Sequence, residues 1–149
     1  MRKYVLDANC YIDASRNSES LTQLSHFSNW ATPSLYLSSV VASELRAGAR
    51  SSKDRRKVEE EVLGPFIRRT RVVTPSTAAW DALGLTLASL REQEGLQLSK
   101  APRSFAFGIL LAYSCREIGA VLITGNVRDM ERIRRVFTFE HIAPYPDRP

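Results

Sequence analysis

The chain has 149 residues, 44% hydrophobic and 25% charged, with two cysteines and a formal net charge of +5. That length suits one domain with a sizeable core, residues 1–149, and the composition excludes a disordered or fibrous polymer. No apolar run approaches the roughly 20 residues of a membrane helix and Asp7 interrupts the N-terminal apolar stretch that a signal peptide needs, so the expectation is a cytoplasmic protein whose positive charge favours polyanionic partners.

Residues 4–6 form a short apolar run that stops at Asp7, the pattern of a buried parallel strand. Cys10, Tyr11 and Ile12 follow, and the polar residues 13–20 suggest a loop or a helix start. Leu21, Leu24 and Phe27 have the spacing of one helical face. Residues 35–39, after Pro33, predict a second strand, and residues 40–50 a helix running toward Gly48. From 51 to 66 the chain is strongly charged, with Arg55, Arg56 and Lys57 opposite Glu59, Glu60 and Glu61, the pattern of a solvated helix with local pairs. Residues 71–74 predict a third strand closed by Pro75. A helix follows over 78–93, with Trp80, Leu83, Leu87 and Leu90 in phase and Gly95 as a stop. Residues 105–115 are apolar nearly all round, as a central buried helix would be. Residues 120–124 predict a fourth strand, 129–136 a short helix, and 137–139 a fifth strand.

Strands alternating with helices predict an α/β three-layer sandwich with a mostly parallel sheet of about five strands. Ligands of such sheets gather outside the carboxyl ends of the strands. That rule singles out Asp7 and Asn9 after the first strand, Glu44 one helical turn after the second, and Asn126 and Asp129 after the fourth. Carboxylates that converge repel one another and ionise together only beside a cation. Magnesium or manganese, with oxygen ligands, suits such a pocket and can promote attack of water on a phosphodiester. Each acid taken alone is equally consistent with a cap or a loop residue. Cys10 and Cys115 fit no zinc spacing and predict reduced, buried thiols, while His26 and His141 have no evident partner and predict structural or surface roles.

The segments around these residues carry a resemblance. Residues 4–13, Tyr-Val-Leu-Asp-Ala-Asn-Cys-Tyr-Ile-Asp, are similar to the opening strand motif of PIN domains. Residues 37–48, with Glu44, resemble the second motif, and residues 110–129, with Thr124-Gly125-Asn126 and Asp129, resemble the third and fourth. The ordered set spans nearly the whole chain and is most similar to the VapC-type toxins of bacterial toxin–antitoxin pairs. The resemblance implies a metal-dependent endoribonuclease using Mg2+ or Mn2+. Asp7, Glu44 and Asp129 (or Asn126, less directly) would be metal-site acids, Thr124 would orient the first aspartate, and Asn9 would support that loop. It also implies RNA as substrate, a small cognate antitoxin as partner, and a homodimer. Candidate dimer faces are Leu21, Leu24 and Phe27, or Trp80 and Leu83.

One departure stands out. Family members place an Asn-Asp pair before the central helix's apolar run, and counting back from Gly119 and Asn126 puts it on Phe107 and Gly108. The acid is missing, and Glu117 lies too far along the helix to replace it. Two alternatives therefore stand beside the ribonuclease: a catalytically inactive PIN-fold module that binds RNA or an antitoxin-like partner, and a 5′-nuclease-like activity on DNA. Basic residues flank both motifs: Arg46, Arg50, Lys53, Arg55 and Arg56 after Glu44, and Arg128, Arg132, Arg134 and Arg135 after Asn126. They are candidates for phosphate contacts.

Overall fold

The computed structural model describes residues 2–149. Five strands form one all-parallel sheet in the order β3-β2-β1-β4-β5, with β1 Lys3–Leu6, β2 Leu35–Ser38, β3 Val72–Val73, β4 Ala120–Ile123 and β5 His141–Ile142. β1 lies at the centre, with Tyr4 opposite Leu35 on one side and Leu6 opposite Ile123 on the other. All four residues of β4 are buried. Successive strand side chains point to opposite faces, so a strand buried throughout must be covered on both. The helices supply those two layers, and the three-layer α/β expectation holds.

The chain between strands is almost entirely helical. The helices are α1 Ala8–Arg16, α2 Ser18–Ala31, α3 Ser39–Gly48, α4 Ser52–Lys57, α5 Gly64–Arg68, α6 Thr77–Glu94, α7 Arg103–Ile118 and α8 Val127–Arg134. Several starts are capped as polar side chains dictate. Asp7 caps α1, Ser38 caps α3, and Ser76 caps α6. α6 and α7 both end on glycines in the left-handed region, Gly95 at φ 69° and Gly119 at φ 67°, where a side chain would be strained.

Three local expectations are narrowed or corrected. Of the two readings of residues 13–20, the helix start holds and the loop does not: α1 runs to Arg16 and α2 begins at Ser18. The break is one residue, Asn17, whose extended backbone lets its Oδ1 accept from the N–H groups of Glu19 and Ser20 at 2.8 and 3.1 Å. Residues 137–139 are not a strand, because Phe137 and Phe139 are engaged in ring packing, and β5 forms two residues later. In the charged segment the helix widens into π geometry over Val58–Leu63, and Glu59 pairs with Arg46 of α3 rather than with its own helix.

Candidate functional site

The strand order reverses at β1, which has β2 on one side and β4 on the other. A crevice at the carboxyl ends of parallel strands forms at such a switch point. Asp7 follows β1 and Thr124 follows β4, so these two residues flank it.

Asp7 is held by three donors. Its Oδ1 accepts from the Ala8 N–H at 2.8 Å, and its Oδ2 accepts from Thr124 Oγ1 at 2.7 Å and Asn9 Nδ2 at 3.1 Å. Thr124, fully buried, accepts in turn from the Asn126 N–H at 3.0 Å and from Asn9 Nδ2 at 3.3 Å. The Gly125 N–H donates to Asn9 Oδ1 at 3.1 Å, tying the loop after β4 to the first turn of α1. Burial raises the Asp7 carboxyl above its ordinary value even though all three hydrogen bonds favour the charged form, and Asp129 adds a smaller push the same way.

Glu44 stands in the second turn of α3, half-buried. Burial first, and the charge of Asp7 second, push its carboxyl up to about 7, while Arg103 opposes them. Glu44 and Asp7 are therefore electrostatic neighbours. Asp129, in the first turn of α8, accepts from Asn126 Nδ2 at 2.9 Å, which turns part of its oxygen set inward. The structure thus joins Asp7, Asn9, Thr124 and Asn126 by hydrogen bonds, adds Asp129 through Asn126, and brings Glu44 within electrostatic range.

Magnesium keeps several waters and needs only one or two protein carboxylates when substrate phosphates complete its shell. Asp7 and Glu44 fit that need in donor type and charge, and their raised proton affinity is what a cation would relieve. Among the described residues, no three His, Cys, Asp or Glu side chains form a group that could hold an ion by themselves. The donor set fits an ion completed by substrate, not an all-protein cage.

A Cβ on Gly108 would lie 3.4 Å from Met130 Cε and 3.7 Å from Ile133 Cδ1. A side chain there would start at van der Waals contact with α8. Glu117 accepts from Ser76 Oγ at the far end of α7.

Several predicted rim arginines are already paired. Arg46 meets Glu59 through two hydrogen bonds at 2.6 and 3.1 Å, Arg132 and Arg135 both reach Glu94, and Arg134 approaches Glu131 at 4.0 Å. His141 does have an acid partner, Glu131, at 3.0 Å. Both cysteines are free and buried, and burial pushes the Cys10 thiol up to about 12, so it stays protonated. Sequence reasoning missed Arg103, the first residue of α7 and a charge that acts on Glu44. The available signal was an arginine directly after Pro102 at the head of the most apolar helix.

No protein-family model matches the chain, and no curated protein matches it. Solved structures do. The chain is similar to a chain of a DNA-bound VapBC from Salmonella typhimurium, at 24% identity over 97% of this chain and 100% of that one, with a TM-score of 0.69. A chain of FitAcB from Neisseria gonorrhoeae matches at 16% identity over 95% and 97%, with a TM-score of 0.67. A chain of a VapBC from Rickettsia felis, bound to a DNA fragment from its promoter, matches at 22% identity over 94% and 97%, with a TM-score of 0.61. The chain therefore shares the fold of these VapBC and FitAcB chains.

Proposed function

We propose that this chain is a toxin-type PIN-domain endoribonuclease that hydrolyses RNA phosphodiesters with Mg2+ or Mn2+, and that a small antitoxin-like protein is its partner. The observation that carries this reading is the Asp7 carboxylate, buried at the switch-point crevice, gripped by Ala8, Asn9 and Thr124, and electrostatically coupled to Glu44. A bare structural aspartate would need only the cap to α1; the added grip of Asn9 and Thr124 fixes both oxygens in one orientation. Asp7 and Glu44 would hold the ion, which when bound supplies positive charge to the phosphate and to the attacking water. Asp129 lies on the same rim and lends negative charge to Asp7.

The partner assignment is supported by the similar VapBC structures, solved bound to DNA. A homodimer is supported by α6, where Trp80 is 56% exposed and Leu85, 70% exposed, lines a hollow of about 390 Å3 with Tyr113 and Phe137. The alternative stripe on α2 is weaker, because Phe27 is 2% exposed and only Leu21 faces outward.

A fluorogenic RNA assay with magnesium or manganese tests the activity. Slow cleavage is expected, abolished by EDTA and by Asp7→Asn. Cleavage that survives Asp7→Asn would remove the assignment. The second reading, a binding module, is favoured by the first turn of α7, which carries no acid. RNA binding without cleavage at any divalent concentration would select it.

A further inference from the structure

A phosphodiester entering an acidic crevice needs a cation from the protein as well as any ion it brings. We propose that Arg103 is a phosphate-binding residue of this site, receiving the RNA backbone at the mouth of the crevice beside Glu44. The inference rests on the ribonuclease reading above.

Its placement follows from topology. α7 ends at Gly119 and turns directly into β4 at Ala120. The helix therefore runs back along β4, and at about 1.5 Å per residue its 16 residues outreach the four of the strand, so its first turn projects past the carboxyl edge where Thr124 and Asp7 sit. Arg103 is exposed at the first position of that turn, and its charge acts on Glu44.

Its chemical state differs from that of Arg46, Arg132 and Arg135, whereas Arg50, Arg55, Arg56 and Arg128 also lack an ion pair among the described residues but lie outside α7. Arg46 is engaged by Glu59, and Arg132 and Arg135 by Glu94, so each has a carboxylate to give up before it can take a phosphate. Among the described residues no hydrogen bond or ion pair holds the Arg103 guanidinium. It lies over the ring of Phe107, one turn along the helix, with its carbon 5.7 Å from the ring centroid. A guanidinium resting on an aromatic face loses rotamer freedom but keeps its N–H edge free, and that edge matches two phosphate oxygens at once.

Local physics does not explain the residue. A cation at the first position of a helix faces the positive end of the helix dipole. The first turn of α7 has no acid to compensate, and Pro102 provides no capping side chain. Such departures from local rules are expected at functional sites.

The test is fluorescence anisotropy of a labelled single-stranded RNA across a potassium chloride series, in EDTA, so that only the protein's own cations contribute. Neutralising one phosphate of a single strand contributes about 0.7 to the slope of log affinity against log salt. Arg103→Ala should weaken binding and lower that slope by about 0.7, Arg103→Lys should restore the slope, and Arg46→Ala should leave it unchanged. Arg103 is exposed, and thermal melts of each variant confirm folding. If the unmodified protein binds RNA and Arg103→Ala has the same slope, the inference falls and Arg103 is only a counter-charge to Glu44. If Arg103→Ala instead loses an acidic protein partner while RNA binding is unaltered, the inference falls in favour of a protein contact. If the unmodified protein binds no RNA at any salt concentration, the ribonuclease reading itself fails.

Discussion

Glu44→Gln should make stability less dependent on pH. The Glu44 carboxyl is raised from 4.5 to about 7, by burial first and by Asp7 second. The folded chain then holds this proton more tightly than the unfolded chain, so the unfolded chain ionises first as pH rises. The stability that Glu44 contributes is complete below about 4.5 and is lost as pH rises through about 7. Each pKa unit corresponds to about 1.4 kcal/mol, so the full displacement is worth about 3 kcal/mol. Glu44 is only half-buried, and screening by water reduces that to about 1.5 kcal/mol. Glutamine keeps the shape and carries no charge at any pH. Urea denaturation of both proteins at several values between pH 4.5 and 8 measures the difference directly. The variant should gain about 1.5 kcal/mol on the unmodified protein across that range. Parallel stability curves would refute the claim that Glu44 is ionised at a cost beside Asp7. Arg103→Ala removes the one cation that lowers the Glu44 carboxyl and should move the transition to higher pH.

Thr124→Val removes the 2.7 Å donor to Asp7 and leaves the Asn126 N–H without its acceptor, and should cost about 2–3 kcal/mol by chemical denaturation. A loss under about 0.5 kcal/mol would show that the hydroxyl does not hold the carboxylate. Tyr11→Phe should raise stability by about 1 kcal/mol, because the Tyr11 hydroxyl is buried without a hydrogen-bond partner among the described residues; destabilisation would reveal a partner for it. Gly108→Asp should cost about 2 kcal/mol or more, by setting a carboxylate against Met130 and Ile133, and should not improve RNA cleavage. A well-folded Gly108→Asp protein with raised activity would show that position 108 opens on the acids.

The primary structure by itself determined which residues are buried and which are polar. Uninterrupted apolar runs at β1 and β4 mark strands covered on both faces. Asp7 is legible because it follows such a run and Glu44 because it lies one turn into the helix after β2, whereas Thr124 reads as the end of a strand and its role came from the resemblance. Local capping chemistry was less legible. Asn17 ends one helix and starts the next with a single side chain, a pattern that composition presents as a loop. Strand order was not legible at all, since hydrophobic pattern does not say which strands are neighbours. Only the tertiary structure places β4 beside β1 and so brings Thr124 within 2.7 Å of Asp7 across 117 residues of chain. Only it decides that Glu59 and Glu94 occupy arginines which, along the chain, looked free for phosphate. It alone turns Gly108 toward Met130 and Ile133, because the direction of a helical side chain depends on where the neighbouring helix packs. Charges and side-chain directions are settled by contacts between segments distant in sequence, and no local window contains them.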